Sequence, residues 1–190
     1  MKTNKITTLS ALSCLLLFSM TLCYTSCKKK TTEVPPNPNE EELITTMKIV
    51  FIDSAGVQPT VTSTYRDVDG DGGNTPSMWD TIKLKANTTY NAEILLLDET
   101  KTPADTISNE VEEEGADHLF CFSVNGLNNT ISTTDTDVNG LPIGLLTKWK
   151  TGSTSVGNVQ IILRHQPGIK TGSCTPGESD IDLIFQSKVE

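Results

Sequence analysis

Beyond residue 45 the apolar side chains recur mainly at every second position, in short runs broken by glycine, asparagine, aspartate and proline. A period of two puts successive side chains on opposite faces of an extended backbone, so each run predicts a half-buried strand. The runs fall at 46–53, 60–66, 81–86, 89–97, 118–124, 130–134, 145–150, 156–165 and 180–189. In the last of them Ile181, Leu183, Phe185 and Ser187 share one face, and Asp182, Ile184 and Gln186 share the other. About nine short strands separated by turn residues predict an all-β fold, an antiparallel β-sandwich of the immunoglobulin-like or a related kind.

One stretch between the fourth and fifth strands changes period. Thr102-Pro103-Ala104-Asp105 offers an N-cap threonine, a proline suited to the first helical position and an early acid, while Gly115 offers a stop. Ile107 and Val111, four apart, predict a short helix with those two residues toward the core. Glu112, Glu113 and Glu114 crowd its C-terminal turn, where the helix dipole favours a cation instead.

Loop lengths add a prediction about where function lies. If consecutive strands run antiparallel, alternate connections fall at opposite ends of the sandwich. The connections 54–59, 87–88, 125–129 and 151–155 are short, whereas 67–80, 98–117, 135–144 and 166–179 are long. The long loops then gather at one end, where a rigid scaffold can present a recognition surface. His118 opens the fifth strand and His165 closes the eighth, so parity brings the only two histidines to that end.

Ahead of the strands lies a different composition. Lys2 and Lys5, an apolar run over 9–22 and a small polar stretch ending at Cys27 read as a secretory signal, too short for a spanning helix. Tyr24-Thr25-Ser26-Cys27 resembles a bacterial lipobox, which makes Cys27 the expected lipidation site. The proline-bearing stretch that follows has no apolar periodicity. The expected organisation is therefore a signal peptide at 1–26, a lipid anchor and disordered tether at 27–43, and a sandwich domain at 44–190. Loss of the two leader lysines leaves 13 basic against 24 acidic residues, a formal charge of −11. That surface disfavours nucleic acid and favours cations. Cys121 and Cys174 then remain as the cysteines of the domain. In an oxidising compartment they can pair, or Cys121 can serve as a small core residue.

Two constellations could carry chemistry. His118 and His165 with Glu113, Glu114 and Asp117 form a mixed nitrogen and oxygen donor set suited to Zn²⁺ or Cu²⁺. Asp67, Asp69 and Asp71, followed by glycines, resemble the first half of an EF-hand calcium loop, with Asp80 as a substitute for the missing glutamate. There is no Gly-x-Ser-x-Gly, no phosphate-cradling loop and no His-Glu-x-x-His, so no enzyme is expected.

Several segments, taken together, carry a family resemblance. They are Glu41 to Thr46, Asp67 to Gly73, Ala86 to Tyr90, Glu112 to Phe122, Leu163 to Gly168 and Gly177 to Asp182. In this order they resemble a family of small Bacteroidetes lipoproteins often labelled type 1 periplasmic binding fold superfamily proteins. The label implies an α/β solute-binding domain, against which the strand pattern argues. The resemblance implies no activity, and it places both histidines within family-like segments. The combined expectation is an envelope lipoprotein at the outer membrane, with the three lysines after Cys27 favouring its periplasmic face. It would be a cation-binding module, working in metal handling alongside an outer-membrane transporter. The alternative is a structural or protein-interaction lipoprotein with at most a structural calcium in the 67–80 loop.

Overall fold

A computed structural model describes residues 42–70 and 72–190. The signal peptide, Cys27, most of the tether and Asp71 lie outside the described residues. The strands are β1 (Thr46–Asp53), β2 (Val61–Arg66), β3 (Met78–Trp79), β4 (Ile82–Leu84), β5 (Thr89–Leu97), β6 (His118–Asn125), β7 (Asn129–Thr133), β8 (Leu146–Thr151), β9 (Ser155–His165) and β10 (Glu178–Val189), with helix α1 (Ile107–Glu113) between β5 and β6. They form a six-stranded sheet, β3-β2-β1-β5-β8-β7, and a four-stranded sheet, β4-β10-β9-β6. The protein is an all-β sandwich, not the α/β domain that the family label implies.

Alternation decides which faces close the core. Met47, Ile49 and Phe51 of β1, Tyr90, Ile94 and Leu96 of β5 and Trp149 of β8 are buried from one sheet. Phe120, Val159, Ile161, Leu163, Leu183 and Phe185 meet them from the other. Trp149 stands edge-on to Phe51 at 5.0 Å and to Phe122 at 6.4 Å, so it joins both layers. Such edge-to-face pairs add roughly 0.5–1.5 kcal/mol each to the burial.

Ten strands are present among the described residues where about nine were expected. The extra one, β3, lies inside the 67–80 loop and pairs with β2. Only Asp80 and Thr81 separate it from β4, without a turn, so β3 and β4 are one extended run that changes sheets. Strand parity is therefore preserved. All pairings are antiparallel except β4 with β10, which parity requires to be parallel.

The helix is shorter than its sequence signals suggest. It begins at Ile107 with Thr106 as N-cap, so Pro103 is not its first residue. Asp98 captures the preceding segment instead: its Oδ1 accepts from the Thr100 amide at 2.9 Å, and an Asp98–Asp105 bridge closes the turn. Ile107 and Val111 do face the core. No basic residue occupies the last helical turn. The missing cation comes from the 166–177 loop, where Lys170 Nζ donates to the Gly115 carbonyl at 2.6 Å and pairs with Asp137 at 2.9 Å.

Candidate metal centre

The register of β6 and β9 sets His118 directly opposite His165, and β10 extends that row with Glu178. The long 166–177 loop must turn back sharply to make this row. Gly177 permits it: its φ is +84°, and a Cβ there would collide with the His165 carbonyl. Gln166 buttresses the return, its Nε2 donating to the carbonyls of Ser173 and Pro176 at 2.9 and 2.7 Å. A Cys121–Cys174 disulfide pins the same loop to β6.

His118 is wholly buried and His165 nearly so. Nδ1 of His118 lies 3.2 Å from the Glu114 backbone carbonyl. A carbonyl only accepts, so Nδ1 carries the hydrogen and Nε2 keeps its lone pair. That Nε2 is buried without a hydrogen-bond partner, 3.7 Å from Asp180 Oδ2. Burial, reinforced by the neighbouring His165, pushes the His118 pKa down to about 4 against the opposing pull of the Glu114 carbonyl. The ring is neutral at pH 7, and its contact with Asp180 is not an ion pair there.

Carboxylates crowd the same place. A ring nitrogen of His118 and one carboxylate oxygen each from Glu42 and Glu114 lie within 4.8 Å of one another. Burial first, then repulsion from Glu110, Asp180 and Glu114, raises the Glu42 pKa to about 7. Asp180 reaches the cluster because a bulge between Ser179 and Ile181 breaks the register of β10 with β9. Its side chain, in phase with outward-facing Asp182, is thereby fully buried beside His118.

The donors assembled here differ from the expected set. His165 is adjacent but stacked on His118, with centroids 4.8 Å apart and planes 7° apart. Imidazole lone pairs lie in the ring plane, so an ion in the plane of one stacked ring sits well outside the plane of the other. His165 is thus a wall of the site and not a second ligand. Glu113 points into a separate cleft of about 460 Å³, shared with Glu93, Glu112, Asp135 and Val138. Asp117 is spent on the loop: its Oδ1 accepts from the Gly168 amide at 3.2 Å and its carbonyl from the Gln166 amide at 2.6 Å. Glu42 and Asp180 were missed. The first lies in a segment without periodicity, and the second is disguised by the bulge.

Among the described residues of the calcium set Asp69 contacts Asp67, but no three of the carboxylates gather. Asp69 Oδ2 accepts from the Asn74 amide and side chain, both at 2.7 Å, which holds its pKa down. Asp80 Oδ2 accepts from the Thr64 amide at 2.9 Å. Asp67 is buried, with the Tyr65 hydroxyl 3.4 Å from its Oδ2. These carboxylates shape turns and edges.

What remains suits a borderline divalent ion. Donors at about 2.1 Å around a tetrahedral ion stand about 3.4 Å apart, and Nε2 to Asp180 Oδ2 is already 3.7 Å. Glu114 is exposed and Glu42 part-buried, so both can swing inward by about 1 Å. In comparisons with known proteins the chain matches no family model, no curated protein and no solved structure. Among the described residues no helix is long and apolar enough to cross a membrane.

Proposed function

We propose that this chain is a lipid-anchored envelope protein whose sandwich binds a divalent cation of the Zn²⁺ or Cu²⁺ type on His118, Glu42 and Glu114, with Asp180 beside them. One observation carries the reading. A neutral, fully buried imidazole without a hydrogen bond to Nε2 stands among carboxylates that repel one another. A cation held by Glu42, Glu114 and a ring nitrogen of His118 relieves that repulsion. The donors are one nitrogen and several oxygens, while both domain cysteines are held in a disulfide. Soft monovalent copper therefore lacks its preferred sulfur ligands.

Anchoring at Cys27 fits the tether sequence, and metal handling beside an outer-membrane transporter fits a binding module held near the membrane. Calorimetric titration with Zn²⁺, Cu²⁺ and Ca²⁺ tests the site. The expected result is saturable heat with Zn²⁺ or Cu²⁺, little with Ca²⁺, and none of it in His118→Ala. Equal heats from the variant would refute this reading. A protein-interaction role is favoured by the separate acidic cleft around Glu93, Glu112 and Glu113. Salt-sensitive binding of basic peptides, lost in Glu112→Gln, Glu113→Gln and unaffected in His118→Ala, would identify that role.

A further inference from the structure

Glu42 differs from the other donors in its place along the chain. Glu114, His118 and Asp180 belong to or adjoin α1, β6 and β10, whereas Glu42 precedes β1 in the segment leading in from the tether. From Thr45 onward that segment is firmly held. Thr45 N donates to the Leu97 carbonyl at 3.0 Å, its carbonyl accepts from the Asp67 amide at 2.8 Å, and its hydroxyl accepts from the Glu99 amide at 2.8 Å. Upstream the hold weakens. Leu43 is 59% exposed, and the Glu42 amide reaches Asp180 Oδ1 only at 3.4 Å. The Glu42 carboxylate meanwhile points at Glu114 and His118, with Glu110 and Asp180 close enough to oppose it.

We propose that the cation acts as a strap, joining the lead-in segment at Glu42 to the helix end and to the sheet of β6, β9 and β10, so that occupancy fixes the chain from Glu42 onward. This inference rests on the metal-binding reading above. Without an ion, Glu42 is held only by the long contact of its amide with Asp180, and the chain is anchored from Ile44, which packs on the core. With an ion bridging Glu42, Glu114 and His118, the chain is fixed from Glu42. Glu42 and Leu43, about 7 Å of extended chain, are then fixed as well.

Two measurements on the full-length chain separate the strap from the site. Zn²⁺ calorimetry reads binding, and amide hydrogen exchange at Leu43 and Ile44, with Zn²⁺ or with EDTA, reads the strap. The expected outcome is binding heat together with exchange slowed about tenfold or more. In Glu42→Gln, Zn²⁺ should still bind with lower affinity, and the slowing should vanish. Binding heat with unchanged exchange at both amides overturns the strap and leaves the site standing. Absence of heat overturns both. Slowing that persists in Glu42→Gln also overturns the strap, because the ion would then be stiffening the region by another route.

Discussion

His118 and His165 stack face to face across β6 and β9, with ring centroids 4.8 Å apart and planes 7° apart. The arrangement follows from register: directly paired residues on neighbouring antiparallel strands project side by side from the same face. Parallel rings cannot aim two in-plane lone pairs at one ion, so the histidines have unequal roles. His118→Ala should lower Zn²⁺ affinity at least about tenfold, the loss of one good ligand. His165→Phe keeps the stacked wall and should leave affinity within about threefold. Titration calorimetry on the two variants checks this, and equal losses would contradict the division of roles.

The sandwich was legible because most of its core strands alternate, β5, β8 and β10 most clearly. Leu183, Phe185 and Ser187 could be placed on one face from spacing alone, and all three are buried. Parity then brought His118 and His165 together, since both close or open strands whose direction follows from the count. Three features resisted. Pro103 resembles a helix start, but Asp98 accepts from the amide and hydroxyl of Thr100 and holds that stretch as a turn, a local competition that propensity does not rank. Asp180 shares the outward phase of Asp182 and is turned inward only by the bulge. Glu42 sits among charged and proline-bearing residues, where no periodicity marks a donor. The site is hidden because two of its acids act where regular pattern ends.

The metal-free protein should show two opposed pH dependences. His118 titrates near 4 when folded against 6.5 when unfolded, so between those values the unfolded chain binds more protons and stability rises with pH. Glu42 titrates near 7 when folded against 4.5 when unfolded, so over that span the folded chain binds more protons and stability falls with pH. In wild type the two slopes offset each other between those overlapping ranges. Glu42→Gln removes the second, so its stability should climb with pH, by at most about 1.4 kcal/mol per unit. Urea unfolding midpoints from pH 4 to 8 in EDTA are the measurement. A variant as flat as wild type would show that the two groups are not paired in this way.

Reduction of the Cys121–Cys174 bridge should weaken the fold without changing its core. The disulfide spans 53 residues, and a loop of that size restricts the unfolded chain by about 4 kcal/mol on the chain-entropy account. Cys121→Ser, Cys174→Ser should therefore unfold at lower urea with an unchanged circular dichroism spectrum in the folded state. Because Cys174 lies in the loop that returns to His165, Zn²⁺ affinity should fall modestly as well. Unchanged unfolding midpoints would show that the remaining anchors of the loop suffice.

Lys170 is one of those anchors. Its side chain and that of Asp137 are 2% and 1% exposed, and its ammonium also caps the helix end at Gly115, one residue beyond Glu114. Burial alone would raise the Asp137 pKa. Lys170, together with the amides of Leu141 and Asn139, overcomes that and holds it low. Lys170→Met leaves a buried carboxylate without its cation and should cost about 3–5 kcal/mol. Adding Asp137→Asn removes the stranded charge while preserving an oxygen for the Asn139 and Leu141 amides, which reach Oδ1 at 2.8 and 2.9 Å. The double variant should therefore regain much of the stability lost in the single one. It should not regain Zn²⁺ affinity to the same degree, because the helix end bearing Glu114 remains uncapped. Urea unfolding and calorimetry on both variants distinguish the two effects, and parallel recovery of both would show that Lys170 acts only on stability.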